Sequence, residues 1–487
     1  MANANPSTLP VVAKSLTIYN SLSRRKEPFE TIAPGQVRMY VCGVTPYDRA
    51  HIGHAMSLIV FDVIRRYLEF LGYQVMHAQN FTDIDDKIIE RADREGITPD
   101  LLTERLIAEW HVETAGLNAQ PAHIYPRATQ EMAEIIAMIE RLMEQGHAYP
   151  VEGDVYYRVR SFPGYGKLSH RSLDDLLAGA RIQVDERKDD PLDFALWKAA
   201  KPGEPSWASP WGPGRPGWHI ECSAMCSHHL DGTVDIHGGG ADLIFPHHEN
   251  EIAQSEAFLE REPFARFWVH NGLLRLGGEK MSKSLGNFVP VRDILGQGLG
   301  PAFRLMVLQS HYRAPLTYTE EALAAADRGL DRLRVAVSEG PSTIPLGHDD
   351  EQRDRAPGLH ERIVDVEDRF HVAMRDDFNT PGAIAALFDL ARAINREEGT
   401  APAEVVSLAR TTLTALASLL GLELSQRAPA EPDDASPFID LLLAIRGELR
   451  VTKHWQLSDK IRDELARLEI TIEDTATGTT WAKAKRA

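Results

Sequence analysis

The segment from Val37 to Gln79 leaves this chain few choices of fold. Val37 to Val41 is an apolar run of strand length that ends at Cys42-Gly43. A short loop with Thr45-Pro46 follows, and His51-Ile52-Gly53-His54 opens a helix running from about His54 to Leu71. Its apolar positions Ile59, Val63, Ile64, Tyr67, Leu68 and Leu71 recur at the helical interval. A second strand is predicted over Tyr73 to Gln79. Strand, helix, strand in that order demands a parallel pair joined by a right-handed crossover, and so places the chain in the α/β class.

At 487 residues there is room for two to four domains. With 43% hydrophobic and 25% charged residues the chain is of the ordinary globular kind. No stretch approaches the ~20 apolar residues of a membrane helix. The opening MANANPSTLPVVAKS lacks the charged-then-apolar order of a secretory signal, so the expectation is a cytoplasmic protein with no membrane partner. Three cysteines, Cys42, Cys222 and Cys226, make no disulfide framework and suit reduced thiols or metal ligands. A net charge of −18 argues against general polyanion binding while leaving room for a local basic surface.

Further along, Thr17 to Tyr19 reads as a short strand and Ser21 to Pro34 as a polar connection. Helices are predicted from Asp100 to Asn118 and from Thr129 to Gln145. Residues 148–210 change texture, with short alternating runs and many Gly and Pro, which suggests an inserted, partly β domain. The spacing then predicts a helix around Cys222, a strand near Val234–Ile236, a Gly-rich turn at His237-Gly238-Gly239-Gly240, a helix in HHENEIAQSEAF and a strand from Phe267 to His270. Beyond Thr319 the pattern is helical as far as about Leu420, interrupted by a linker at 339–358. After a second linker, 427–437, comes a small module of two helices, a strand near Leu468–Ile472 and a basic tail with Lys483, Lys485 and Arg486.

His51 and His54 are three apart and share a helix face at an N-terminus, where the helix dipole and unpaired N–H groups favour a phosphate. Gly53 between them admits close approach. Taken alone, the same pair reads sooner as histidines that cap or pad a helix. Lys280-Met281-Ser282-Lys283-Ser284 lies behind Gly277-Gly278 in a polar loop able to close on a triphosphate. Cys42, Cys222, His247 and Glu251 offer two thiolates, an imidazole and a carboxylate, a donor set suited to Zn²⁺. Spacing cannot pair ligands so far apart, and Cys226, His248 and Glu249 compete with them.

Taken in order, YVCG…YDRAHIGHA, NFTDIDDKII, DVYYRV…YGKLS, DPLDFALWK, PGWHIECSAM, DLIFPHHENEIAQSE, KMSKSLGN, DDFNTP and EDT…GTTW resemble the cysteinyl-tRNA synthetases, class I aminoacyl-tRNA synthetases, over nearly the whole chain. The resemblance implies a Rossmann-like catalytic domain in two halves, 17–125 and 211–265, with a connective insertion at 126–210. A KMSKS and stem-contact region at 266–318, a helical bundle at 319–426 and a small α/β anticodon-binding domain at 438–487 would follow. It implies activation of L-cysteine with ATP and Mg²⁺ and transfer to the 3′ end of tRNA(Cys) by a monomer carrying one Zn²⁺. The catalytic residues carried over are His51, His54, Lys280 and Lys283, with His51, Gly53, His54 and Lys283 at ATP. The zinc ligands map onto Cys42, Cys222, His247 and Glu251, and the cysteine pocket onto Gly43, Thr82 and Trp218. The anticodon readers map onto Arg450, Trp455, Asp459 and Asp474. In the opening loop the family's CGPT is replaced by Cys42-Gly43-Val44-Thr45-Pro46, and Cys226 stands outside the pattern, read here as structural. The resemblance extends to the cysteine ligases of the mycothiol pathway, which pass cysteine to an amino-sugar. Those lack the terminal module.

Overall fold

Four strands lie parallel in one sheet, in the spatial order Ala265–Asn271, Val234–Gly240, Gln36–Val44 and Gln74–Phe81. The computed structural model describes residues 16–175, 187–277, 279–280, 288–338, 358–424, 436–452, 454–467, 470–475 and 478–483. It divides into two units, Met1–Leu424 and Ser425–Ala487.

The crossover helix between the first two strands is Ile52–Phe70, and it buries Ile59, Val63, Ile64, Tyr67 and Leu68 as the spacing requires. From Gln36–Val44 the chain moves to one side, toward Gln74–Phe81. The strand on its other side, Val234–Gly240, comes much later in sequence. The strand order therefore reverses beside Gln36–Val44, and in open α/β sheets ligands bind in the crevice at the carboxyl ends of such strands.

The glycines of HGGG do not form a turn. They continue the strand Val234–Gly240 and pair with Val269, His270 and Asn271. They are glycine because of crowding. A Cβ on Gly238 would strike the Phe61 ring, and one on Gly239 would meet Leu243 and His248. The Ser21–Pro34 connection holds a strand, Arg25–Pro28, paired antiparallel with Thr17–Asn20. The helix Asp86–Glu95 escapes the hydrophobic pattern because only Ile88 and Ala92 are buried in it. Local chemistry makes it instead: Asp85 accepts from the Lys87 N–H (2.9 Å), and Gly96 ends it at φ 67°.

The inserted segment is an antiparallel sheet of Ala148–Val151, Asp154–Tyr157, Phe194–Ala199 and Gly214–Pro216, whose last strand lies beyond residue 210. Helices Pro99–Gly116 and Met132–Glu144 lie where the periodicity puts them. Helices Glu320–Val337, Leu359–Arg375, Thr380–Glu397 and Ala403–Leu419 bury their apolar faces in one continuous core with the crossover helix. Residues 339–357 and 425–435, which hold most of both expected linkers, lie outside the described residues.

In the second unit Ser436–Val451 and Trp455–Arg467 share a small core of Ile439, Leu443, Leu465 and Ile470. The single expected strand is a hairpin, Ile470–Thr475 with Gly478–Lys483. Lys483 is therefore strand rather than tail, and Lys485 and Arg486 lie outside the described residues. Among the described residues no helix is long and apolar enough to cross a membrane.

Candidate active site

The carboxyl end of Gln36–Val44 delivers Cys42 to the crevice through an irregularity. The register with Gln74–Phe81 shifts between Val41 and Val44, so the strand runs on through Cys42-Gly43 rather than ending there. Gly43 is held by its N–H on Asn80 Oδ1 (2.9 Å), and any Cβ at that position would collide with the Asn80 carbonyl. Cys222 comes from the helix Trp218–Leu230. His247 and Glu251 come from the turn into, and the first turn of, the helix Glu249–Leu259.

The donor atoms of Cys42, Cys222, His247 and Glu251 lie within 4.8 Å of one another. Cys42 Sγ is 3.8 Å from Cys222 Sγ and 3.4 Å from Glu251 Oε1, and His247 Nε2 is 3.0 Å from the same Oε1. A tetrahedral ion with Zn–S bonds of about 2.3 Å holds two sulfurs about 3.8 Å apart, so the donor set fits zinc in identity and in spacing. Cys226 is buried one turn further along its helix and is outside the cluster.

Histidines orient the donors. His237 Nε2 bonds Glu251 Oε2 (2.8 Å), leaving Oε1 to face the cluster, and His219 Nδ1 meets His247 Nδ1 (3.0 Å), turning Nε2 inward. His248 and His237 themselves lie within 4.8 Å of Cys42, and His248 Nδ1 bonds His270 Nε2 (2.8 Å). Of these four supporting histidines the sequence offers only His248, and that as a rival ligand. The available signal was a dense scatter of His through WHIEC, IHGGG, HHENE and WVHN. Glu249 acts away from the cluster. It accepts from the backbone N–H groups of Gly166, Leu168 and Ser169 and ties the insertion down.

The charges are strongly divided. The hydrogen bond from Cys42 pulls the Cys222 thiol down to about 6, while burial pushes Cys42 up. Burial opposes the His247 imidazolium, yet Glu251 and Cys222 carry it up to about 10. Burial likewise opposes ionisation of Glu251, but His237 and His247 hold its carboxyl well below the usual range.

Cys42 and Gly43 open onto a cavity of about 350 Å³, whose wall includes Trp218, His51, Gly53 and His54. Trp218 is 39% exposed, with its ring 4.3 Å from that of His247. His51 and His54 do cap the helix, and reciprocally. His51 Nδ1 accepts from the Gly53 N–H (3.1 Å), and His54 Nδ1 from the His51 N–H (3.3 Å), with the rings stacked 3.7 Å apart. With both Nδ1 atoms acting as acceptors, each ring carries its proton on Nε2. Capping and ligand binding are therefore compatible here. Thr82 does not line this cavity. It is buried beside Asn80, whose Nδ2 lies 3.3 Å from Thr82 Oγ1.

Lys280 stands in a two-residue strand, Glu279–Lys280, paired with Leu274–Leu276. Lys283 lies outside the described residues. The far end of that loop is fastened to the histidine helix, because Ile52 N–H bonds Val289 O (3.0 Å) and Val291 N–H bonds Ala50 O (3.1 Å). In the second unit, Arg450 is exposed in the last turn of its helix. Trp455 (54% exposed) and Asp459 are a helical turn apart on the next helix, and Asp474 is in the first hairpin strand.

The model of the class I (C) tRNA synthetase catalytic domain matches residues 28–328, and that of the DALR domain matches residues 369–425. In fold, the chain is similar to Mycobacterium tuberculosis methionyl-tRNA synthetase in complex with methionyl-adenylate (TM-score 0.56, 16% identity, 84% of this chain and 94% of that one). It is likewise similar to a putative arginyl-tRNA synthetase from Campylobacter jejuni (TM-score 0.55, 14% identity, 80% and 94%). Fold and site thus define a class I tRNA synthetase. Among curated relatives, the cysteine--tRNA ligase of Dehalococcoides mccartyi is 53% identical over 469 residues, 96% of this chain and 99% of its own length. That of Heliobacterium modesticaldum is 50% identical over 480 residues, 96% and 100%. The chain belongs to the cysteine--tRNA ligase family. A match of that length cannot leave out the unit Ser425–Ala487.

Proposed function

We propose that this chain activates L-cysteine with ATP to cysteinyl adenylate and transfers the cysteinyl group to the 3′ end of tRNA(Cys). The observation that carries the reading is a single cavity with a soft-metal donor set at one end and a histidine-capped helix start at the other.

Cys42, Cys222, His247 and Glu251 would hold one Zn²⁺, which when bound supplies a soft Lewis-acid position for the thiolate of the substrate. Serine, with a hard hydroxyl of much higher pKa, gains little there. A required bond discriminates by ~10⁴–10⁵, whereas shape alone gives ~10². No editing domain is then needed. The exposed Trp218 face and the Gly43 backbone border the space next to Cys42, where the amino acid lies. Thr82 supports that wall from behind through Asn80. His51 and His54 each present Nε2–H to the phosphates of ATP, and Gly53 lets them come close. Lys280 and Lys283 close over the triphosphate with Mg²⁺ and neutralise the charge that develops as the carboxylate displaces pyrophosphate at the α-phosphorus. The tRNA ribose hydroxyl then attacks the adenylate carbonyl, with AMP leaving. Arg450, Trp455, Asp459 and Asp474 read the anticodon. The division at 17–125, 126–210, 211–265, 266–318, 319–426 and 438–487 assigns these roles to segments of a monomer acting in the cytoplasm.

The test is a pair of assays on the full chain: cysteine-dependent pyrophosphate exchange, with serine as competitor, and charging of tRNA(Cys), alongside metal analysis. Exchange with cysteine, charging of tRNA(Cys) and one zinc per chain are expected. Exchange without charging, together with transfer to an amino-sugar, would sink the reading.

A further inference from the structure

A second group of donors lies at the far end of the helix that carries Cys222. Glu131, His228 and His229 bring a carboxylate oxygen and two ring nitrogens within 4.8 Å of one another. His228 and His229 are successive residues in the last turn of Trp218–Leu230, about 100° apart around its axis. They converge because each uses a different nitrogen. His228 uses the near one, Nδ1, on Glu131 Oε2 (2.6 Å), and His229 the far one, Nε2, on Glu131 Oε1 (2.8 Å). Glu131 precedes the helix Met132–Glu144, yet its carboxylate does not cap that helix. It is buried and turned to the histidines instead. The side chains of His228 and His229 are open to solvent to 48% and 24%, which leaves a path in for an ion and room for water on it.

One carboxylate cannot balance two imidazolium groups, so two bound protons suit this triad poorly. A divalent cation suits it better: it takes the place of both hydrogen-bonded protons, leaves the imidazoles neutral and binds the N and O donors together. The surroundings favour such charge. The triad stands at a helix C-terminus, the negative end of the dipole. The Glu131 hydrogen bond raises the His228 imidazolium above its ordinary range, and Glu134, three residues on from Glu131, adds to it. Two imidazoles and a carboxylate, with open positions for water, suit Zn²⁺ and its transition-metal neighbours rather than Mg²⁺ or Ca²⁺. We infer that Glu131, His228 and His229 form a second metal site, one that takes Zn²⁺ and joins the C-terminal end of the Cys222 helix to the start of Met132–Glu144. It shares no residue with the Cys42 cluster and does not depend on the tRNA-charging reading.

The test is equilibrium dialysis of the full chain, free of any histidine tag, against Zn²⁺, with His228→Gln/His229→Gln alongside. The unaltered chain should hold one zinc more than the variant. The difference rather than the total decides the outcome, so the result is separate from the filling of the Cys42 cluster. Glu131→Gln keeps the shape of the side chain and should weaken the extra zinc by at least about tenfold. Excess zinc should raise the thermal midpoint of the unaltered chain further than that of the double variant, since an ion bound to the native state alone stabilises it. None of the three residues lines the cavity beside Cys42, so cysteine-dependent pyrophosphate exchange should stay within about twofold and so report an intact fold. Should the double variant lose exchange, His228→Gln alone, at the more exposed of the two histidines, gives the same comparison. Equal zinc in the unaltered chain and the histidine variant would overturn the inference, as would a Glu131→Gln chain that binds the extra zinc as tightly as the parent.

Discussion

Arg304 is the test of how the catalytic sheet is joined to the helical bundle. It is fully buried on the helix Gly300–Leu308 and donates to four groups: the Asp62 carboxylate on the crossover helix, the carbonyls of Leu117 (3.0 Å) and Asn118 (3.2 Å), and that of Leu420 (2.7 Å) at the end of the bundle. Gly421, at φ 65°, lets the chain turn closely over the guanidinium. Arg304→Met keeps the apolar stem and removes the donors, so its cost is polar rather than a cavity. Asp62 is not stranded, because Arg66 Nε (2.8 Å) and the Gln120 N–H (2.7 Å) remain on it. The three carbonyls are the losers, at ~1 kcal/mol each. Adding the bond to the carboxylate brings the total to about 4 kcal/mol, inside the 3–5 kcal/mol range for breaking a buried ion pair. In urea, followed by tryptophan fluorescence, that is a midpoint lower by roughly 1 M for a slope of about 3 kcal/mol/M. Because most of the loss sits on carbonyls, a double-mutant cycle with Asp62→Asn should return a coupling of no more than about 2 kcal/mol. A loss below 1 kcal/mol, or a coupling equal to the entire loss, would refute the apportioning.

Other outcomes follow from the site and its surroundings. Cys222→Ser should strip zinc from the purified protein and raise the KM for cysteine at least tenfold, whereas Cys226→Ser, changing a thiol outside the cluster, should keep its metal. Full zinc in the first variant removes Cys222 from the ligand set. Lys283→Ala should slow adenylate formation by about 10² or more while cysteine binding holds within twofold; equal activation rates would deny it an ATP role. Trp455→Ala, at an exposed helix start, should cost tRNA affinity ~1–3 kcal/mol, the worth of one stacked base, with pyrophosphate exchange untouched. Glu113 supplies a pH signature. Burial first, then Glu109, raise its carboxyl to about 7, and its Oε2 has no hydrogen-bond partner among the described residues. A raised carboxyl binds its proton more tightly in the folded state. Its penalty is therefore absent below the unfolded value near 4.5, grows as pH rises toward 7 and is complete above that. Glu113→Gln should accordingly melt higher than the parent at pH 8 and level with it at pH 4; the same gain at both would point to a cause other than ionisation.

How much of this was legible before any coordinates depended on the range of each interaction. The crossover helix announced itself because Ile59, Val63, Ile64, Tyr67 and Leu68 meet one core, and periodicity is the trace of one core. Asp86–Glu95 left no such trace, since two buried side chains make no stripe and its signal lay in Asp85 and Gly96. HGGG misled for the opposite reason: glycine marks turns by its freedom, but here it marks a strand pressed against Phe61, a neighbour that sequence does not supply. The second terminal strand was missed because a hairpin is one element to a hydrophobic pattern and two to hydrogen bonding. The donor cluster lay furthest from view. Its four residues come from a strand, a helix and a helix entry, and only the likeness to a family could pair them. Their histidine supports had no short-range pattern at all.

The displaced proline of the opening loop also takes its meaning from the sheet. In the proposed reaction Cys42 addresses the amino acid while His51 and His54, a short loop away, address the nucleotide, so a change in that loop could have altered the span between the two ends of the site. The anchors on either side prevent it. The strand pairs through Val44, whose carbonyl accepts from the Thr82 N–H (3.2 Å), and the Tyr47 N–H closes back over Pro46 onto the Thr45 carbonyl (2.9 Å). Pro46 sits inside that closure, where its missing N–H is not needed and its fixed φ suits the turn. Val44, where the resemblance leads one to expect the rigid residue, is a strand position here. The rigidity has moved from the end of the strand to the turn after it, and Cys42 remains set by its neighbours in the sheet rather than by the loop that follows.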